Sequence, residues 1–161
     1  MSLERKEVKM QDASQSESYI KVCDSCSGLN RVKKNSAQQP KCGHCGNALH
    51  TEKFISEVDF PTLQHIIKNS PVPVVVDFWA PWCGPCLGFA PVYEEFSKRN
   101  PSAAIYLKLD TEAHQQAGAA LNIRSIPTLV VFQSGKESAR QSGAMPMDTL
   151  TAWLKRQGLK L

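Results

Sequence analysis

Six cysteines arranged as three Cys-x-x-Cys pairs constrain this chain more than any other feature of its sequence. Each pair brings two thiols close together, and such pairs serve as metal ligands, as disulfides or as redox centres. The charged N-terminus carries no apolar segment of the kind that directs secretion. We therefore expect a cytoplasmic protein, and in that reducing compartment paired cysteines usually indicate metal binding or catalysis. The pairs are Cys23/Cys26, Cys42/Cys45 and Cys83/Cys86.

Length and composition favour a globular protein with one ordinary domain and a small additional module. The chain has 161 residues, of which 42% are hydrophobic and 21% charged, and its net charge is +4. Its longest apolar stretch, residues 71–82, is short and interrupted by Asp77, so we expect no membrane span. The small basic excess is spread along the chain, and nucleic acid is therefore not an expected partner.

The residue pattern divides the chain into three parts. Residues 1–18 are polar and rich in Ser and Gln, which predicts a flexible N-terminal tail. Residues 19–51 hold four cysteines but few large apolar side chains, so this segment needs a metal ion or disulfides to fold. Residues 54–161 have enough apolar side chains for a core of their own and are predicted to form the main domain.

Strand and helix patterns alternate through the main domain and predict a mixed sheet covered by helices on both faces. The β-branched run at residues 72–79 is typical of a strand buried on both sides. Pro91 is expected to kink the helix that contains it. Further strands are predicted at 103–109, 128–133 and 136–141, the last two as a hairpin, and helices at 83–98, 112–121 and 147–157.

The first two cysteine pairs have the spacing of a four-thiolate zinc site. Two tight turns that each aim a pair of sulfurs at one point would complete a tetrahedron around the ion. Two local disulfides are the alternative, but a reducing compartment and the small size of such rings argue against them. The predicted ligands are Cys23, Cys26, Cys42 and Cys45, and Gly28, Gly43 and Gly46 are expected to supply the turn conformations.

His44 lies between Cys42 and Cys45, and a Gly-His dipeptide between two cysteines would also suit disulfide chemistry. A redox pair of this kind normally follows a buried strand and begins a helix. The sequence indicates neither element around this pair. We therefore interpret His44 as a solvent-exposed residue of a metal-binding loop.

The third pair has the context that a redox centre requires, since it follows the predicted buried strand and begins a helix. There the free N–H groups of the first helical turn stabilise a thiolate on Cys83. Cys86 lies three residues on and on the same helix face, where it can attack a mixed disulfide formed at Cys83. Gly84 and Pro85 allow the tight entry into the helix.

The segments FWAPWCGPC (78–86), IRSIPTLVVF (123–132) and SGA (142–144) resemble the thioredoxin family. Together with the cysteine spacing ahead of them, they are most similar to the bacterial zinc-containing thioredoxin 2 type. The resemblance implies an α/β thioredoxin fold, a central mixed sheet flanked by helices, preceded by a small zinc-ribbon-like module. It also implies a redox-active disulfide between Cys83 and Cys86.

Several residue roles follow from the resemblance alone. Asp77 resembles the buried carboxylate that handles the proton of the resolving cysteine, and Lys108 resembles the lysine beside it. Pro127 matches the family's cis-proline, which leaves the backbone of Ile126 free to pair with an extended client. Leu87 departs from the basic residue that often follows the redox pair. The substrate-binding residues implied are Trp82, Gly84, Pro85, Ile126, Pro127, Gly143 and Ala144.

The resemblance implies a monomeric protein-disulfide reductase that thioredoxin reductase recharges with NADPH and that acts on disulfide-containing client proteins. A disulfide oxidase or isomerase is the alternative, against which Gly84-Pro85 and the expected cytoplasmic location both count. A third alternative is a binding protein in which the zinc module recruits nucleic acid or a partner. Five basic residues make this conceivable, but no interleaved aromatics offer bases a stacking surface. They are Lys21, Arg31, Lys33, Lys34 and Lys41.

Overall fold

A computed structural model of the chain describes residues 17–161, which form a two-stranded and a five-stranded sheet. The tail predicted over residues 1–18 therefore lies outside the described residues except for its last two, and Ser18 already begins a strand. Among the described residues no helix is long and apolar enough to cross a membrane.

The small sheet consists of two antiparallel strands, β1 (Ser18–Val22) and β2 (Leu29–Lys33), which flank the first cysteine pair. The sequence patterns had indicated neither strand. One face of the hairpin covers a small core in which Tyr19 contacts the ring of Phe54 at 5.5 Å between ring centroids. The other members of this core are Cys23, Val32, Cys42 and Leu49.

The large sheet has the strand order β3-β5-β4-β6-β7, in which β3, β5 and β4 are parallel and β6 and β7 antiparallel to their neighbours. The predicted mixed sheet is thereby confirmed. Its strands are β3 (Ile55–Glu57), β4 (Val74–Trp79), β5 (Ile105–Asp110), β6 (Thr128–Gln133) and β7 (Lys136–Ser142), and its helices are α1 (Phe60–Asn69), α2 (Gly84–Arg99), α3 (Gln115–Ala120) and α4 (Met147–Arg156).

Strand β4 lies at the centre of the sheet and is buried on both faces, as its β-branched sequence predicted. Because side chains alternate along a strand, Val75 packs with α2 and α4 on one face, while Val74 and Val76 pack with α1 on the other. The Tyr93 hydroxyl of α2 lies 2.9 Å from the Val75 carbonyl oxygen. These contacts hold α2, and thus its first turn, in a fixed position over the sheet.

The small sheet packs against the core of the large one rather than standing apart from it. Val22 is buried in the same apolar cluster as Ile105 and Leu107 of β5, and Ile20 and Leu29 pack against that cluster. Burial of these side chains removes apolar surface from water on both sides of the contact. The small sheet and the large sheet therefore share part of one hydrophobic core.

One predicted helix is clearly shorter in the structure, and one observed helix was not predicted. The predicted helix at 112–121 is shortened to α3 because Asp110 ends β5 in a turn, in which its carboxylate accepts hydrogen bonds from the N–H groups of Glu112 and Ala113. Helix α2 contains Pro91, as predicted, and continues past it to Arg99. The sequence analysis missed α1, although Asp59 accepts a capping hydrogen bond from the Thr62 N–H at 2.9 Å.

Candidate active site and metal-binding cluster

The third cysteine pair lies where α2 begins, directly after the loop that follows β4. Cys83 and Cys86 form a disulfide. Cys83 is the N-cap residue of α2, and its sulfur accepts a hydrogen bond from the Cys86 N–H at 3.2 Å. In this oxidised state both side chains are mostly covered, with 5% of Cys83 and 2% of Cys86 exposed. The predicted redox disulfide is therefore present at a helix N-terminus.

The loop before β6 lies against the disulfide and brings together three residues predicted to bind substrate. The Ile126–Pro127 peptide bond is cis, as expected. The Ile126 carbonyl oxygen is 3.8 Å from the Cys83 sulfur. Gly143, which has a φ of 95° that favours glycine, donates its N–H to the Pro127 carbonyl oxygen at 2.8 Å. These residues form one wall beside the redox pair.

Two exposed apolar side chains flank the disulfide. Trp82 is 69% exposed and Leu87 is 54% exposed, and the only other exposed large hydrophobic residue in the described chain is Leu161. Leu87 lies one helical turn after Cys83, to whose carbonyl oxygen it donates its N–H at 3.1 Å. Each of the two is the immediate sequence neighbour of a cysteine of the disulfide. Gly84, Pro85, Gly143 and Ala144 are also exposed.

Asp77 is a buried carboxyl on β4, only 1% exposed, and neither of its oxygens has a hydrogen-bond partner in the structure. Burial raises the pKa of this carboxyl to about 7, and the positive charge of Lys108 opposes the rise. The two residues are paired in register across β4 and β5. The Lys108 amine, however, lies over the Trp79 ring, 4.3 Å from its centroid, and makes no salt bridge to Asp77 within the described chain.

The first two cysteine pairs bring four sulfurs within 4.8 Å of one another. The Cys23 and Cys45 sulfurs are 3.7 Å apart, and those of Cys26 and Cys42 are 3.6 Å apart. A regular tetrahedron with zinc–sulfur bonds of about 2.3 Å has sulfurs about 3.8 Å apart, so these spacings fit a single zinc ion. The four cysteines can therefore hold a metal ion.

The two cysteine loops have the same backbone geometry. In the first loop the Ser27 N–H donates to the Cys23 carbonyl oxygen at 2.9 Å, and in the second the Gly46 N–H donates to the Cys42 carbonyl oxygen at 2.9 Å. Ser27 has a φ of 62° and Gly46 a φ of 79°. Both loops thus turn through one residue in the left-handed region, so each pair of sulfurs faces the centre of the cluster.

One expectation about these loops was wrong. Of Gly28, Gly43 and Gly46, only Gly46 has a positive φ, and Ser27 supplies that conformation in the first loop. Gly28 instead lies against the second loop, and a Cβ atom there would lie 2.6 Å from Cδ2 of the His44 ring, which would have to move. His44 is exposed, as expected, and the sulfur cluster within the described residues consists of cysteines alone.

Asn30 is a residue of this cluster that the sequence analysis missed. Its side-chain amide lies 3.4 Å from the Cys42 sulfur, although Asn30 belongs to β2 and follows the other cysteine pair. The available signal was a sequence pattern in which this polar residue follows Cys26, the last cysteine of the first metal-binding loop, by four positions. An exposed polar residue and one that faces a metal site look the same in such a pattern.

Comparison with known proteins identifies the family. The thioredoxin family profile matches residues 47–156. Thioredoxin C-3 from Corynebacterium nephridii is 43% identical over 139 residues, which cover 86% of this chain and 94% of that protein. This chain belongs to the thioredoxin family. Thioredoxin 1 from Nostoc sp. is 39% identical to this thioredoxin over 101 residues, covering 63% of it and 94% of the relative.

The fold comparison gives the same answer. The crystal structure of Malassezia sympodialis thioredoxin (Mala s 13) superposes on this thioredoxin with a TM-score of 0.57 at 27% identity, covering 65% of this chain and 90% of that one. Because 139 residues match, the similarity to thioredoxin C-3 begins at or before Cys23 and spans both N-terminal cysteine pairs. The region ahead of the large sheet therefore has a counterpart in thioredoxin C-3. As a member of the family, this thioredoxin is a thiol–disulfide oxidoreductase.

Proposed function

We propose that this thioredoxin reduces disulfides in client proteins through Cys83 and Cys86, and that thioredoxin reductase recharges it with NADPH. The observation that carries the proposal is a disulfide at the N-terminus of α2, flanked by exposed apolar side chains. Thioredoxins generally work with thioredoxin reductase and with disulfide-containing clients. We further propose that the protein acts as a cytoplasmic monomer, without nucleic acid.

In the proposed reaction the reduced protein attacks through Cys83. The Cys86 N–H donates to the Cys83 sulfur and the positive end of the α2 dipole faces it, so both stabilise the thiolate. The thiolate forms a bond to one client sulfur while the client disulfide breaks, and the second client sulfur leaves as a thiolate that takes up a proton. The result is a mixed disulfide at Cys83.

Cys86 then resolves the mixed disulfide. Once deprotonated, its sulfur attacks the Cys83 sulfur, the bond to the client breaks, and the first client sulfur also leaves as a thiol. Two electrons have then passed from the dithiol to the client, and Cys83 and Cys86 are joined as in the structure. Both thiol protons of the protein have passed to the client or to solvent.

Asp77 is the proposed proton acceptor for Cys86. A carboxyl with a pKa near 7 exchanges its proton readily at neutral pH, whereas an exposed carboxylate stays ionised there. Neither of its oxygens has a hydrogen-bond partner among the described residues, which leaves both available to accept a proton. Lys108 is proposed to limit the rise of the Asp77 pKa through its positive charge.

Clients are proposed to bind in an extended conformation across the face that carries the disulfide. The Ile126 backbone would pair with the client chain as an added strand, since its carbonyl oxygen lies beside the Cys83 sulfur. Trp82 would cover an apolar client side chain with its exposed ring. The remaining members of this proposed surface are Gly84, Pro85, Gly143 and Ala144, which are exposed, and Pro127, which is buried and joined to Ile126 by the cis bond.

We also propose that one structural zinc ion binds to Cys23, Cys26, Cys42 and Cys45, as in the zinc-containing thioredoxin 2 type. The fit of the sulfur spacings to a tetrahedron supports the assignment. The ion would draw together two loops that have only a small apolar core beneath them. Residues 19–51 are then the zinc-binding module, and residues 54–161 the thioredoxin domain.

Trapping of clients tests the proposed roles of the two cysteines. The Cys86→Ser variant should accumulate mixed disulfides with proteins from a lysate through Cys83, because the resolving thiol is missing. The Cys83→Ser variant is the matched control and should trap none. If Cys83→Ser traps clients and Cys86→Ser does not, the two roles are reversed.

A further inference from the structure

Asn30 connects the two cysteine loops through three hydrogen bonds. Its Nδ2 atom donates to the Gly28 carbonyl oxygen at 3.0 Å and to the Cys42 sulfur at 3.4 Å. Its Oδ1 atom accepts the Gly43 N–H at 2.9 Å. Gly28 belongs to the first cysteine loop, whereas Cys42 and Gly43 belong to the second. One side chain therefore uses both its donor group and its acceptor to join the two halves of the cluster.

The position of Asn30 in the fold makes this connection rigid. Asn30 lies in β2, which is paired along its length with β1, and it stands opposite Lys21 in the register. The Lys21 amine is itself buried and donates to the Lys53 carbonyl oxygen at 2.8 Å. The amide thus projects from a paired strand and bonds to the second loop.

The contact with Cys42 has a chemical effect of its own. The Cys42 sulfur lies 3.4 Å from the backbone N–H of His44 and 3.4 Å from the Asn30 amide. Two N–H groups from different parts of the chain thus point at one sulfur of the cluster. Hydrogen bonds to the groups that ligate a metal also fix their orientation, and loss of one such contact typically weakens metal binding by about 10–100-fold.

We propose that Asn30 is a positioning residue that arranges the two cysteine loops for metal binding before any ion is present. The proposal rests on the proposed zinc site for its effect on affinity, but its geometric part concerns the metal-free chain as well. A second approach between the loops supports it, because the His44 ring lies against Gly28, 2.6 Å from where a Cβ atom would be.

Two substitutions separate the functions of the amide. Asn30→Ala removes all three hydrogen bonds. Asn30→Asp keeps an oxygen to accept the Gly43 N–H, but it replaces both donated contacts with a carboxylate that repels the Cys42 thiolate. Gln39→Ala is the matched control, since it removes an exposed carboxamide from the same segment.

The first measurement is zinc affinity of the reduced, full-length protein by competition with a chromogenic chelator. We expect Asn30→Ala to bind zinc about 10–100-fold more weakly than wild type. Asn30→Asp should bind at least as weakly, because of the added negative charge beside the thiolate. Gln39→Ala should bind as wild type does. Unchanged affinity in both Asn30 variants would overturn the proposal.

The second measurement uses the metal-free reduced protein and records amide hydrogen exchange at Gly43 by NMR. Exchange should accelerate in Asn30→Ala and stay near the wild-type rate in Asn30→Asp, which retains the acceptor. Equal exchange in wild type and Asn30→Ala would refute prior arrangement of the loops. If wild type binds no zinc, the proposed metal site fails while this measurement still decides the geometric claim. If Asn30→Ala does not fold, Asn30→Asp decides the affinity claim by itself.

Discussion

Replacing Asp77 with Asn should remove a pH-dependent contribution to the free energy of unfolding, and the pKa of Asp77 sets the size of that contribution. Burial raises the pKa of this carboxyl from its ordinary value of 3.8 to about 7. The folded protein therefore holds the proton more tightly than the unfolded chain does. The contribution of Asp77 to the free energy of unfolding is fully present below about pH 4 and is lost progressively as the pH rises to about 7.

The size of the effect follows from the pKa difference. Each tenfold change in proton affinity corresponds to about 1.4 kcal/mol, so a rise from 3.8 to about 7 corresponds to about 4 kcal/mol. A neutral carboxamide resembles the protonated acid and does not ionise. Asn at position 77 should therefore leave stability within about 1–3 kcal/mol of wild type at pH 4, the cost of an unpaired buried amide. Relative to wild type, the variant should then gain about 4 kcal/mol between pH 4 and pH 8.

Urea unfolding at several pH values measures this difference. The oxidised protein is the right form, because its Cys83–Cys86 disulfide keeps those two thiols from titrating. Effects of other groups, the metal-binding cysteines included, are common to both proteins and cancel in the comparison. Asp148→Asn is the control, since Asp148 is exposed in the first turn of α4. If the difference between wild type and Asp77→Asn is the same at pH 4 and pH 8, the carboxyl does not have a raised pKa.

Three further predictions follow from the structure. Val22→Ala should lower the free energy of unfolding of the large sheet by about 2 kcal/mol, because Val22 is buried against β5. An unchanged urea midpoint would contradict the shared core. Leu87→Lys should lower kcat/KM about fivefold for a peptide disulfide with apolar flanking residues, because about 1 kcal/mol of apolar burial is lost. The same substitution should not lower kcat/KM for a peptide disulfide with acidic flanking residues. Chelation of zinc from the reduced protein should speed amide exchange in β1 and β2 more than in β6, and uniform exchange would count against a structural metal.

Much of the large sheet could be predicted because its sequence and its environment agree. The run that forms β4 is apolar at nearly every position, and the structure buries both of its faces. The hairpin of β6 and β7 was predicted from two strand patterns separated by Ser134-Gly135, both of which have a positive φ. Helix α1 was missed although Leu63, Ile66 and Ile67 recur at helical spacing and Asp59 marks its start.

The N-terminal strands were harder to predict because their side chains break the usual rules of burial. Lys21 is buried in β1, and its amine is satisfied by a backbone carbonyl of Lys53 that is distant in sequence. Strand β2 exposes Arg31 and Lys33 and has only one fully buried side chain, Val32. These five-residue strands show no regular alternation of polar and apolar residues. Their side chains pack against metal-binding loops and against the core of the large sheet, and neither contact can be read from the strand sequence.

The candidate site could be predicted where chemistry depends on residues close in sequence. The cysteine spacing indicated the metal-binding cluster, and the position of the third pair between a buried strand and a helix indicated the redox centre. The resemblance to thioredoxins implied that Asp77 is a buried carboxylate, and the structure buries it. The contact of Lys108 with the Trp79 ring could not be predicted, because it depends on the register of β5 against β4. The contacts of Asn30 could not be predicted either, because they depend on how the two cysteine loops lie against each other.

A coupled assay with thioredoxin reductase, NADPH and insulin tests the proposed function most directly. Insulin supplies protein disulfides, and the fall in NADPH absorbance reports each pair of electrons that passes through Cys83 and Cys86. Wild type should consume NADPH in proportion to the disulfides reduced, and Cys83→Ser should consume none above the rate of the reductase alone. Wild type that cannot accept electrons from the reductase, or that accepts them without reducing insulin, would contradict the assignment as a protein-disulfide reductase.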